Sequence, residues 1–139
     1  MTDIVNHPSH YEQNSIRLEP IHITSRLPHP VASAFEYCIR AGKKDGVPEQ
    51  VDLQKALFWL MHFYNYQSAN DNFLGLDPAD VLILNEFHEG LDFEFAGIIA
   101  TGYRNDQSWQ TITEQLIKYV QRRLCDLHDK ETTNETARN

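Results

Sequence analysis

The sequence predicts an all-α protein: a compact bundle of about five helices with an extended amino-terminal arm and a disordered carboxy-terminal tail. Two observations carry that prediction. Apolar residues recur at intervals of three and four over long stretches, and residues that start and stop helices bracket those stretches. Only Phe93 to Ala100, a short apolar run, also admits a strand.

The first sixteen residues have no steady period and carry His, Asn, Ser and Pro8, which predicts an extended arm. Pro20 can open a short helical turn. Pro30 at a first helical position, then Val31, Ala34, Phe35, Cys38 and Ala41, closed by Gly42, predict a helix of about three turns. After Asp45-Gly46-Val47-Pro48, the set Leu53, Ala56, Leu57, Leu60, Met61 and Tyr64 predicts a longer second helix. Asp52, Lys55, Trp59 and His62 follow the same spacing, so a second, polar stripe is expected on its other side.

Asp77-Pro78-Ala79-Asp80 is a helix start, with Asp77 as N-cap, and the helix should run to about Glu89 before Gly90 ends it. Asp92 can cap a fourth, buried helix, and Asp106 or Ser108 a fifth. In the fifth, Trp109, Ile112, Leu116, Tyr119, Val120, Leu124 and Leu127 hold the period for over four turns. The segment 129–139 is Lys, Glu, Thr, Asn and Arg with little else, too polar to offset its ordering entropy, so it is expected to be disordered. Residues 1–128 therefore constitute a single helical domain.

The chain has 139 residues with twelve Lys and Arg against twenty Asp and Glu, a net charge of -8. That balance argues against duplex nucleic acid as a main partner, because counterion release needs a basic surface. No stretch approaches the length of a membrane span, and no basic region with an apolar run opens the chain, so a cytoplasmic protein is expected. Cys38 and Cys125 lack CxxC spacing and lie in apolar helical patterns, which predicts two buried free thiols.

The residues that ordinary packing does not require are His7, His10 and Tyr11 in the arm, and Arg40, Lys43 and Lys44 at the end of the first long helix. Guanidinium and ammonium groups make the charge-assisted bonds that phosphate needs. The same cations also suit the negative pole of a helix without any ligand. No Walker loop is present, because Gly42-Lys43 lacks the earlier glycine and the following Ser or Thr. His7 and His10 alone leave a metal's coordination incomplete, so no metal site is assigned.

Three segments together resemble a phage and prophage domain shared with the nucleotide kinase of a T-odd coliphage. They are Asn6-His7-Pro8-Ser9-His10-Tyr11, then Tyr37-Cys38-Ile39-Arg40-Ala41-Gly42-Lys43-Lys44, then Asp52-Leu53-Gln54-Lys55-Ala56-Leu57-Phe58-Trp59-Leu60. The resemblance covers residues 4–63, leaves 64–128 unmatched, and departs from the family at Glu36, where a Lys is usual. It implies a nucleotide-handling protein in a phage or prophage setting, acting in the host cytoplasm, with nucleoside monophosphate kinase as the implied activity. His7, His10, Tyr11, Arg40, Lys43, Lys44 and Trp59 would then bind substrate, Asp52 and Lys55 would be catalytic, and ATP with magnesium would be the cofactors.

Two other readings stand beside it. One is a non-catalytic phage protein that binds and inhibits a host defence factor or sequesters a nucleotide signal, favoured by Glu36 and by the seven acids facing one base between Gln67 and Arg104. The other is a metal-dependent nucleotide pyrophosphohydrolase built on Glu86 and Glu89. Phe58, Trp59, Phe63, Tyr64 and Tyr66 crowd the second long helix, and aromatics on two of its sides predict a homo-oligomer.

Overall fold

Helix-forming patterns in this chain become helices wherever the computed structural model describes it, over residues 18–43, 45–66 and 75–138, with side chains described as far as Thr132. Among the described residues there are six helices and no strand: α1 (Ile21–Thr24), α2 (His29–Arg40), α3 (Glu49–Tyr66), α4 (Pro78–Gly90), α5 (Glu94–Arg104) and α6 (Trp109–Arg138). The arm residues His7, His10 and Tyr11 lie outside the described residues, as does Lys44. No described helix is long and apolar enough to cross a membrane.

Helix α2 begins behind Pro28 with Pro30 in its first turn, where a missing N–H costs nothing, and Gly42 just past its end adopts φ 82°, open to glycine at little cost. Its buried face, Val31, Ala34, Phe35 and Cys38, packs chiefly against α3, which in turn packs on α6. Asp77 caps α4 as expected: its Oδ1 accepts the Asp80 N–H at 3.0 Å, and Asp80 Oδ2 accepts the Asp77 N–H at 2.9 Å, a closed capping box. Arg26 clamps this start, donating to Asp80 Oδ2 at 3.2 Å and to the Gly75 carbonyl at 2.9 Å.

The core is aromatic at its centre. The Phe35 ring meets Phe87, Phe93 and Phe95 edge-on at centroid distances of 5.3, 5.0 and 5.6 Å, so one side chain of α2 joins α4, the turn after it and α5. Trp109 opens α6 fully buried, edge-on to Phe63 of α3, and Ser108 Oγ caps that helix by accepting the Thr111 N–H at 3.2 Å.

The short apolar run forms the expected buried helix, α5, where Ala96, Gly97 and Ala100 let it pack closely on its neighbours. Three expectations change. Asp92 does not cap α5; it takes φ 52° in the turn, and Phe93 stands at the cap position. Cys125 is exposed, because α6 turns that face to solvent beyond Val120. Finally, α6 stays helical to Arg138 through a segment whose composition predicts disorder, although His128 to Thr132 are exposed, consistent with its lack of buriable surface.

Cys38 is sealed in the core, and burial pushes its thiol up to about 12, with Arg123 opposing and Asp52 adding to the shift. Native protein should therefore yield one thiol to a disulfide reagent at pH 8 and two after unfolding; two at once would contradict this packing. The raised value also has a sign in stability. The folded state holds a proton that the unfolded chain, with its ordinary value of 9.0, releases, so this contribution is intact below pH 9 and is lost as pH rises towards 12.

Candidate phosphate-binding cleft

Two of the three family-like segments meet in space. Tyr37 and Arg40 near the end of α2 face Asp52 and Lys55 in the first turns of α3. The Arg40 guanidinium lies 4.5 Å from the centre of the Tyr37 ring and the Lys55 ammonium 5.6 Å from it, so two cations contact one ring. Arg40 Nε stands 3.6 Å from Asp52 Oδ1, an ion pair too long for a hydrogen bond.

Asp52 is buried rather than part of an exposed polar stripe. It falls on the line Asp52, Ala56, Leu60 and Phe63, all buried, whereas Lys55 looks outward. Its Oδ2 and Arg40 Nε have no hydrogen-bond partner among the described residues. The cluster is a seam between α2 and α3, held by the Arg40–Asp52 ion pair and the two cation–ring contacts, with these two polar atoms left without a hydrogen bond. Trp59, two turns along α3, is half-buried with His29 edge-on to it at 5.4 Å. Around it Phe58, Met61 and Tyr66 are exposed, with His62 stacked on Phe58 and tilted against Tyr66.

Lys43 takes a different direction. Together with Arg122 and Arg123 of α6 it lines a cleft of about 490 Å³ whose other wall is the α4–α5 turn, Leu91 to Glu94. Three cations face two carboxylates there, Asp92 and Glu94, in a chain of net charge -8. Glycine at position 42 frees the backbone to turn after α2, which brings Lys43 to this side.

Arg123 is the best anchored of these cations. It donates to the Cys38 carbonyl at 3.1 Å, to the Tyr119 hydroxyl at 3.0 Å and to Glu49 Oε1 at 2.9 Å, joining α6 to both α2 and α3. Burial raises the Tyr119 hydroxyl above its ordinary value, with Arg123 working the other way, so Tyr119 remains a protonated phenol at neutral pH. Arg122 is half-exposed and pairs with Glu94 across the cleft. Its guanidinium is 5.9 Å from the centre of the Tyr119 ring.

Of the described residues expected to bind or react, then, Arg40, Asp52 and Lys55 gather at the seam around Tyr37, Lys43 alone reaches the cleft, and Trp59 stands apart from both. Arg122 and Arg123 were not legible as site residues, because a charged pair inside a long apolar period reads as ordinary solvated surface. The one available signal was their adjacency in the middle of a helix whose neighbouring charges are sparse.

Among the described residues, the acidic pair expected of a pyrophosphohydrolase is not joined by further metal-ligating side chains. Glu86 is half-buried and Glu89 exposed, and no group of three metal-ligating side chains occurs among the described residues. No family model, curated protein or solved structure matches the chain.

Proposed function

We propose that this protein binds a phosphate-bearing small molecule of the nucleotide class in the cleft beside Lys43. The observation that carries the reading is the convergence of Lys43, Arg122 and Arg123 on one cleft in an otherwise acidic chain. Arg123 arrives with its geometry already fixed by three bonds, so little side-chain entropy is lost when it meets an anion. Arg122 can exchange its contact with Glu94 for a phosphate oxygen, and Lys43, exposed and flexible, closes from the opposite wall.

Phosphoryl transfer, the activity implied by the resemblance to the phage nucleotide kinase, is the finer form of this proposal. Magnesium is commonly held by one or two carboxylates together with phosphate oxygens, and it would supply charge neutralisation between donor and acceptor. Asp92 and Glu94 are the carboxylates on the cleft that fit that need. Asp52 and Lys55 do not line it, so Asp52 would act only by holding Arg40 and the end of α2.

Sequestration without turnover is the second reading. It is favoured by the placement of Asp52, whose carboxylate is buried against Arg40 instead of facing a ligand.

Titrating the protein with nucleoside mono- and triphosphates in magnesium, while assaying products, tests both. Wild type should bind, and the affinity should fall as salt is raised. The Lys43→Ala, Arg122→Ala double variant should bind at least about tenfold more weakly, about 1.4 kcal/mol, with an unchanged unfolding midpoint. A phosphorylated product identifies a kinase, and binding without product identifies sequestration. Absence of binding by wild type, or full affinity in the double variant, would remove the proposal.

A further inference from the structure

Helix α3 has one face that its own fold does not use. Its buried residues include Leu53, Ala56, Leu60 and Phe63, it packs on α2 and α6, and its outer face carries Val51, Gln54, Phe58, Met61 and Asn65 at alternating intervals of three and four. Phe58 keeps 64% of its surface in solvent and Met61 40%. That spacing is the seam of a coiled coil, turned outward. Charge is missing from it as well: Ala56 to Tyr66 contains no Asp, Glu, Lys or Arg, and among the exposed residues of α3 only Lys55 is charged, lying over the Tyr37 ring of α2. In a chain of net charge -8, a helical stretch without an ion is where two copies can meet with least repulsion.

The order of residues along the seam selects the partner. Gln54, Phe58, Met61 and Asn65 run amide, apolar, apolar, amide at intervals of four, three and four, so the pattern is the same in either direction. A reversed copy therefore sets like against like. We propose that this face joins two copies of the chain through a twofold, antiparallel pairing of their α3 helices, with Phe58 of each packed on Met61 of the other and Gln54 of each opposite Asn65 of the other. A thioether against an aromatic ring is a favourable contact, and here it occurs twice about the axis. Each side-chain amide is both donor and acceptor, so the Gln–Asn pairs satisfy one another at the two ends and oppose a slip of the helices by one layer. A strongly charged partner would find only Lys55 to pair with on this face. Eighteen residues make α3 about 27 Å long, a small contact, so pairing should depend on concentration. The Lys43 cleft is lined by residues outside α3, so pairing and ligand binding can fail independently.

Sedimentation of the full chain in reductant, from a few micromolar to about 1 mM, should show wild type passing from 16.1 kDa to twice that mass. Phe58→Glu and Met61→Lys, each checked for unchanged helicity by circular dichroism, should stay single copies at every concentration. Mixing the two in equal amounts should restore pairing, because the antiparallel register sets the new carboxylate against the new ammonium. A second measurement leaves the apolar centre intact: in a Cys125→Ser background under mild oxidant, Gln54→Cys mixed with Asn65→Cys should form the mixed disulfide at least about tenfold faster than either forms one with itself. Wild type that remains a single copy throughout, a mass above two copies, charge variants that still pair alone, a mixture that does not pair, or disulfides formed without preference would each overturn the proposal.

Discussion

Replacing Arg123 by Ala should lower the unfolding free energy by about 3 kcal/mol, the size expected when a largely buried cation with several bonds is truncated. Three groups lose a donor at once: the Cys38 carbonyl, the Tyr119 hydroxyl and the Glu49 carboxylate. The first two lie inside the fold, where water cannot readily replace the missing N–H. Glu49 is less costly because a third of its side-chain surface reaches solvent. Urea unfolding monitored by tryptophan fluorescence would measure the loss. Arg123→Lys is the informative companion: one ammonium cannot reach all three acceptors in the same geometry, so it should recover only part of the stability. A variant as stable as wild type would show that the seam between α6, α2 and α3 does not depend on this side chain.

The second large effect is expected at Phe35. Truncation to Ala should cost about 3 to 5 kcal/mol, the range for a buried aromatic whose neighbours cannot collapse into the space. The neighbours here are three further rings, Phe87, Phe93 and Phe95, each held edge-on to Phe35. Phe93 and Phe95 are also stacked on each other, with an interplanar angle of 6°, so neither can tilt into the gap without breaking that contact. Phe35→Leu should cost less, about 1 to 2 kcal/mol, since it keeps more of the volume. Because Phe93 lies in the turn that walls the cleft, Phe35→Ala should also weaken ligand binding, whereas a loss confined to stability would separate core from cleft.

Helices with a start signal and a sustained period were readable from residues alone. Asp77 and Asp80 form the capping box of α4 with Pro78 at its first position, Pro30 and Gly42 bracketed α2, and the run from Trp109 to Leu127 announced α6. Periodicity failed where two spacings fit equally well. Asp52 can be joined to Lys55 and Trp59, giving an exposed stripe, or to Ala56 and Leu60, giving a buried one, and only the position of α2 decides for the second. Phe93 to Ala100 was ambiguous because it is short and carries a single charge, Glu94, too little to reveal its period.

The cleft was legible only at Lys43. Its two arginines come from the other end of the chain, about eighty residues away along the sequence, and no local pattern announces that α6 will lie beside the end of α2. The seam formed by Tyr37, Arg40, Asp52 and Lys55 illustrates the converse. Residues paired by resemblance did come together, yet mutual pairing can account for their proximity without a ligand.

The outward-facing sulfur of Cys125 affects how self-association would be observed. With Cys38 sealed, air oxidation of the intact protein can join two copies only through that one atom, producing a covalent pair unrelated to the Phe58, Met61 and Tyr66 surface. A doubled mass that disappears with reductant belongs to the sulfur, and one that persists is held without a covalent bond.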